Sequence, residues 1–150
     1  MKRPGLWFFA RIFIGGVFVY AGFSKLAGPV ENFRAVLAAY HWIPAFAVPL
    51  LAHLGPWCEL IFGVFVVAGF VPRWSSLVLG LFSLMFVGLL GGEYLATGKF
   101  PEDCGCFGHG FFHPTVPQVF ALDILNFLLG VRLFLLKEHT WSLEAWLTAV

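Results

Sequence analysis

The sequence predicts an all-α integral membrane protein, a four-helix bundle forming one domain over residues 1–150. Three observations carry that reading. Of the residues, 60% are hydrophobic and only 11% charged, whereas a soluble domain has about 45–50% apolar and roughly 25% charged residues. Four separate stretches reach the roughly 20 apolar residues that cross a bilayer. A chain of 150 residues also leaves too much of its area exposed for water to be the solvent of so apolar a surface. The 19 Phe and 6 Trp supply aromatics for both membrane interfaces. A net charge of +1 offers no footing for nucleic acid.

The spans are expected at about Leu6–Leu26, Pro49–Phe70, Trp74–Leu95 and Val116–Leu136. Lys2 and Arg3 precede an apolar run too long for a signal-peptide core, so the first run is read as a span rather than a cleaved leader. Between the first two spans, Gly28–Val48 holds Pro29, Pro44 and the aromatic group Tyr40-His41-Trp42, which fits a segment lying on the bilayer surface. Val71-Pro72-Arg73 is a tight turn that makes the second and third spans antiparallel neighbours. Thr97–Thr115 is rich in Gly and Pro and carries Cys104 and Cys106.

Basic residues set the expected orientation. With the N-terminus inside, the cytoplasmic side holds Lys2, Arg3, Arg73 and Lys137, and Arg11 and Arg132 can snorkel to it. The other side holds Lys25, Arg34 and Lys99. Both termini are therefore expected in the cytoplasm, and the cysteine loop on the outer, disulfide-permissive side of a bacterial inner membrane.

Asp103-Cys104-Gly105-Cys106-Phe107-Gly108 is the most informative stretch. Two cysteines one residue apart can close a small, strained disulfide across a permissive glycine, and strained bridges are the labile, oxidising ones. A static bridge, a pair of idle thiols and a soft-metal site built from Cys104, Cys106, His109 and His113 are the alternatives. A protonated His109 or His113 would favour the thiolate, while Glu102 and Asp103 oppose it. Cys58 is the third cysteine and, buried in a span, reads as a small hydrophobe or as a third redox or metal ligand.

Charges inside a bilayer are functional candidates. Arg11 and Glu59 are read as such a pair, able to meet across the first and second spans. Asp123, Asn126 and Gly130 share one face of the fourth span. That face is expected to hydrogen-bond a neighbouring helix, relay protons or hold a quinone head group. Gly15 and Gly22 on the first span, with Lys25 near the same line, and Ser76, Gly80, Ser83 and Gly91 on the third, form seams of small residues expected to bring helices close.

These residues carry a family resemblance. Arg11-Ile12-Phe13-Ile14-Gly15-Gly16 through Tyr20-Ala21-Gly22-Phe23-Ser24-Lys25-Leu26, and Trp57-Cys58-Glu59-Leu60 followed by Gly63, resemble the first two helices of DoxX-like membrane proteins. Cys104-Gly105-Cys106-Phe107-Gly108 resembles the signature of the methylamine utilisation protein MauE branch. The resemblance implies a redox-associated membrane protein supporting maturation of a disulfide-rich periplasmic partner, with a thiol protein or thioredoxin-like carrier to exchange with. In architecture the chain is also similar to DsbB and vitamin K epoxide reductase, which pass electrons from thiols to a quinone. With no Cys-x-x-Cys here, a relay through two cysteine pairs is not expected. Two rival functions are a structural or assembly subunit of a membrane complex and soft-metal binding or transport.

Overall fold

A computed structural model describes residues 4–101, 105–107 and 114–136. Five helices follow one another: α1 (Pro4–Ala27), α2 (Val30–Ala39), α3 (Ala47–Ala68), α4 (Pro72–Thr97) and α5 (Val116–Leu135). Among the described residues there is no strand. α1, α3, α4 and α5 are long and apolar enough to cross a membrane. Helix is the form in which a span satisfies its own backbone without water. Phe9, Leu54, Leu81 and Leu128 point outward from the four long helices, as side chains solvated by lipid do.

The helix ends follow from local chemistry. Gly69, left-handed at φ 72, closes α3 in a Schellman motif: Phe70 N–H donates to Phe65 O at 2.9 Å and Gly69 N–H to Val66 O at 3.2 Å. Pro72 then opens α4, so the turn between them is as short as the sequence predicts. Gly98, at φ 71, closes α4. Thr115 opens α5, its N–H donating to Gln118 Oε1 at 3.1 Å. The surface-lying segment contains α2, whose Phe33 and Leu37, one turn apart, are buried while Glu31, Arg34, Ala35 and Ala38 are exposed. That one-sided pattern suits a helix lying in the interface plane.

Two close helix pairs make the bundle. Against α3, a Cβ on Gly22 would lie 2.7 Å from Pro56 O and from Leu60 N, and one on Gly15 would lie 2.8 Å from Gly63 O. As the α1 partner number falls the α3 number rises, so these helices are antiparallel and touch backbone to backbone. α4 and α5 meet the same way: a Cβ on Gly130 would lie 2.8 Å from Ser76 O and 3.1 Å from Gly80 Cα. The seams expected on α1 and α4 are therefore helix contacts. Gly130, grouped in sequence with a polar stripe, belongs to the second of them.

One core cluster gathers at the end that carries α2, with Phe33, Leu37, Ala52, Phe86, Leu90, Phe107 and Val119. Another, at the opposite end, holds Ile14, Phe18, Val66, Leu79 and Leu133. Replacing Gly22 by Leu should force α1 off α3 and cost at least about 1–3 kcal/mol in unfolding from detergent micelles. Gly88→Leu, where an added Cβ meets nothing within 4 Å, should leave the transition in place.

Candidate functional site

The α1–α3 contact positions the first element of the site. Lys25 stands three residues beyond Gly22, and Glu59 three beyond Pro56. Helical side chains lean toward their own N-terminus, so on antiparallel helices these two lean toward each other. Lys25 Nζ donates to Glu59 Oε1 at 2.8 Å and Oε2 at 2.7 Å. The Lys25 side chain is 0% and the Glu59 side chain 2% exposed. The ammonium also lies 4.9 Å from the Phe33 ring centroid and 5.2 Å from that of Phe86, within cation–π range. Four helices thus converge on one cation.

This corrects the sequence reading, which paired Glu59 with Arg11 and left Lys25 on the outer loop side. Arg11 sits about 21 Å down the α1 axis from Lys25, level with the far end of α3. It is buried there, its guanidinium 5.5 Å from the Phe8 ring centroid. The register of the glycine contact, not the depth of the charges, decides the partner. The one available signal was that Lys25 continues the Gly15–Gly22 face.

The second element is the Cys-Gly-Cys segment. Gly105 has φ +65, and a Cβ there would lie 2.8 Å from Val36 Cγ1 and 3.3 Å from Phe33 Cδ2. Only glycine lets the chain press so closely on α2 in that conformation. Phe107 packs against Tyr20 with ring centroids 6.1 Å apart, and its carbonyl accepts a hydrogen bond from the Ser24 hydroxyl. Residues 105–107 are thereby seated between α1 and α2, and Cys106 is buried at 6% exposure. Cys104, His109 and His113 lie outside the described residues.

Cys106 borders a cavity of about 20 Å³ deep in the bundle. Val17, Phe18 and Ala21 of α1, Glu59 of α3 and Phe86 of α4 form its walls with Phe107. α5 contributes Asp123 and Asn126, both buried, the latter at 1% exposure. Neither end of the Asn126 carboxamide has a hydrogen-bond partner among the described residues. The face expected on the fourth span therefore turns inward, toward the thiol and the ion pair. Val17 and Phe107 also line a wider apolar groove of about 580 Å³ between α1 and α5, with Ile12, Phe13, Gly16, Tyr20 and Leu122. Those two residues line both the groove and the inner cavity.

The remaining candidates lie elsewhere. Cys58 is a free, half-buried thiol on α3 and is not among the cavity's lining residues. His41 is exposed, its Nδ1 3.4 Å from Glu93 Oε1, and His53 Nδ1 contacts Pro49 O at 2.9 Å. Among the described residues no three His, Cys, Asp or Glu side chains are grouped to hold a metal ion.

Fold and site together define a multi-pass membrane protein that encloses an ion pair, two further polar side chains and a cysteine within its helices. The chain belongs to the family of methylamine utilisation protein MauE, whose family model matches residues 3–137. No curated protein and no solved structure matches it. The MauE branch of the resemblance is thus established, while the wider DoxX-like likeness stays with the helix patterns of the sequence.

The ion pair gives a direct prediction. Lys25→Met or Glu59→Gln alone should destabilise the protein by about 3–5 kcal/mol, because each leaves a buried partner uncompensated. The double substitution should recover most of that loss. Thermal unfolding of the four proteins in one detergent checks the cycle.

Proposed function

We propose that this chain is a redox-associated membrane protein of methylamine utilisation that exchanges disulfides with an extracytoplasmic thiol protein through Cys104 and Cys106. The observation that carries the reading is the seating of Cys106. A glycine that tolerates no side chain, a phenylalanine packed on Tyr20 and a hydroxyl–carbonyl bond hold its sulfur at a cavity that Glu59, Asp123 and Asn126 also line. A structural cysteine needs none of that.

Burial divides the labour between the two sulfurs. A protein partner cannot reach Cys106, so its thiolate attacks Cys104 in the Cys104–Cys106 disulfide. The bond between the two cysteines breaks, a bond from the partner to Cys104 forms, and the electron pair stays on the Cys106 sulfur. A second partner thiol then attacks the mixed disulfide and releases Cys104. The partner leaves oxidised and the pair reduced. Membership of the MauE family supports a partner matured for methylamine oxidation.

Orientation follows the same chemistry. Lys25 is neutralised by Glu59, which leaves Arg34 and Lys99 as the described cations at the α2 end. Arg11, Arg73 and Arg132 stand toward the other end, the last 5.7 Å from the Trp7 ring centroid. That asymmetry supports both termini in the cytoplasm of a bacterial inner membrane.

In cells, neither Cys104→Ser nor Cys106→Ser can close the loop disulfide, so thiol trapping should find the partner in its reduced form with either variant. Either substitution should abolish partner oxidation. Unchanged partner oxidation in the double variant would refute thiol exchange.

The apolar groove beside Phe107 supports a lipid-borne quinone as the acceptor that reoxidises the pair, taking two electrons and two protons. Reduced protein in liposomes should then recover its disulfide faster with a quinone in the bilayer. A bulky Gly16→Phe substitution in the groove should remove that acceleration. Equal rates with and without quinone would assign reoxidation to a soluble carrier.

A further inference from the structure

We propose that the α1–α5 seam seats an anionic phospholipid, with its phosphate on Arg132 and one acyl chain in the groove beside Gly16. The inference goes beyond thiol exchange and does not depend on it. Arg132 is exposed near the end of α5, and its guanidinium lies 5.7 Å from the Trp7 ring centroid on α1. Such a contact draws on the cation's charge and leaves its N–H donors unspent. The Arg132 side chain makes no hydrogen bond or ion pair with a described residue. The carboxyl groups among the described residues are Glu31, Glu59, Glu93 and Asp123. Asp123, on the same helix, stands about 13 Å further along the axis and is buried.

An apolar path leads away from this cation. Leu122, Leu125, Leu129 and Arg132 follow one another at steps of three and four residues, so they share one face of α5. Leu125 is exposed, and Leu122 borders the groove of about 580 Å³. Leu122 and Arg132 are about 15 Å apart along the axis, the depth of one leaflet in a hydrocarbon core about 30 Å thick. Across the seam, Ile12 and Phe13 are exposed and a Cβ on Gly16 would meet nothing within 4 Å. α1 therefore leaves the groove open to a hydrocarbon chain.

Charge selects the occupant. Arg132 belongs to the apolar span Val116–Leu135. An anion arriving from water would have to shed hydration to reach it, whereas a lipid phosphate already resides at the membrane surface. Arginine holds phosphate through paired N–H donors. A zwitterionic headgroup brings its own ammonium to compete for that phosphate, so a headgroup of net negative charge is preferred. Arg73 is the contrasting case at the same end. Its Nε donates to Phe134 O at 3.2 Å, and Phe134, two residues from Arg132, faces another side of α5. No α4 residue lines the groove. The acyl chain is then the resident that a quinone entering the groove displaces.

The test is native mass spectrometry of the full-length protein in detergent, titrated separately with dioleoyl phosphatidylglycerol and dioleoyl phosphatidylcholine. Wild type should bind phosphatidylglycerol on the order of fivefold more tightly, the effect of one arginine near a membrane surface. Arg132→Gln should bring the two lipids to equal affinity, and Arg132→Lys should keep most of the preference. Arg73→Gln should leave the preference in place. Gly16→Phe should weaken both lipids alike and preserve their ratio, because it fills the place of the chain and not that of the phosphate. Gly88→Phe, equally open on α4, should change neither.

Equal affinity of the wild type for the two lipids overturns the proposal without recourse to any variant. An equal loss of preference in Arg132→Gln and Arg73→Gln also overturns it, by reducing the effect to the net charge of that end. Displacement of phosphatidylglycerol by inorganic phosphate would assign a free-anion site in place of a lipid seat. Unaltered binding in Gly16→Phe would remove the chain from the groove. The titration needs neither loop cysteine nor partner protein, so it stands or falls separately from thiol exchange, which the loop-cysteine substitutions decide in cells.

Discussion

An ammonium and a carboxylate inside a lipid-solvated bundle are tolerable only in each other's company. Lys25 and Glu59 meet that condition at 2.7–2.8 Å with almost no exposure, and much of the architecture follows from it. α1 and α3 must sit in one register, or the pair separates. α2 and α4 must supply Phe33 and Phe86, whose rings flank the cation. Such pairs add little net stability over an apolar replacement but penalise every arrangement that parts them. The pair therefore acts as a registration device. It fixes the α1–α3 alignment beside the cavity and the placement of α2 as the floor on which the cysteine loop rests.

Glycine supplies the complementary constraint. Without a water-driven hydrophobic effect between spans, close packing holds helices together. Gly15, Gly22 and Gly63 let α1 and α3 touch, and Gly80 and Gly130 do the same for α4 and α5. Both contacts leave one face of each helix turned to the interior. On α1 and α3 that face carries the ion pair, and on α5 it carries Asp123 and Asn126. Gly105 extends the principle to the loop, where absence of a side chain lets residues 105–107 descend onto α2.

The four spans were legible because lipid imposes a composition and a length, and the boundaries found depart from those expected by no more than two residues. The tight α3–α4 turn was readable from Pro72. α2 was legible only as a surface segment, since ten residues between prolines give weak periodicity. The site was legible by residue type but not by grouping. Cys106, Glu59, Asp123 and Asn126 each attracted attention for a local reason, yet their convergence on one cavity depends on how α1, α3 and α5 are arranged in space. Lys25 was misplaced for the same reason. At a helix end its charge looks like a loop residue, and only the antiparallel register turns it inward. The partners proposed for the loop in sequence, Cys104, His109 and His113, lie outside the described residues.

The thin partition made by Val17 and Phe107 has a consequence for chemical selectivity. Small hydrophilic reductants and peroxides partition poorly into hydrocarbon, so they would meet the inner sulfur only through the loop. A membrane-dissolved reagent approaching between α1 and α5 would meet Val17 and Phe107, which line both groove and cavity among the described residues. The arrangement thus sorts reagents by solubility before any recognition begins, insulating the inner sulfur from the bulk thiol pool while leaving it close to whatever diffuses in the plane of the bilayer.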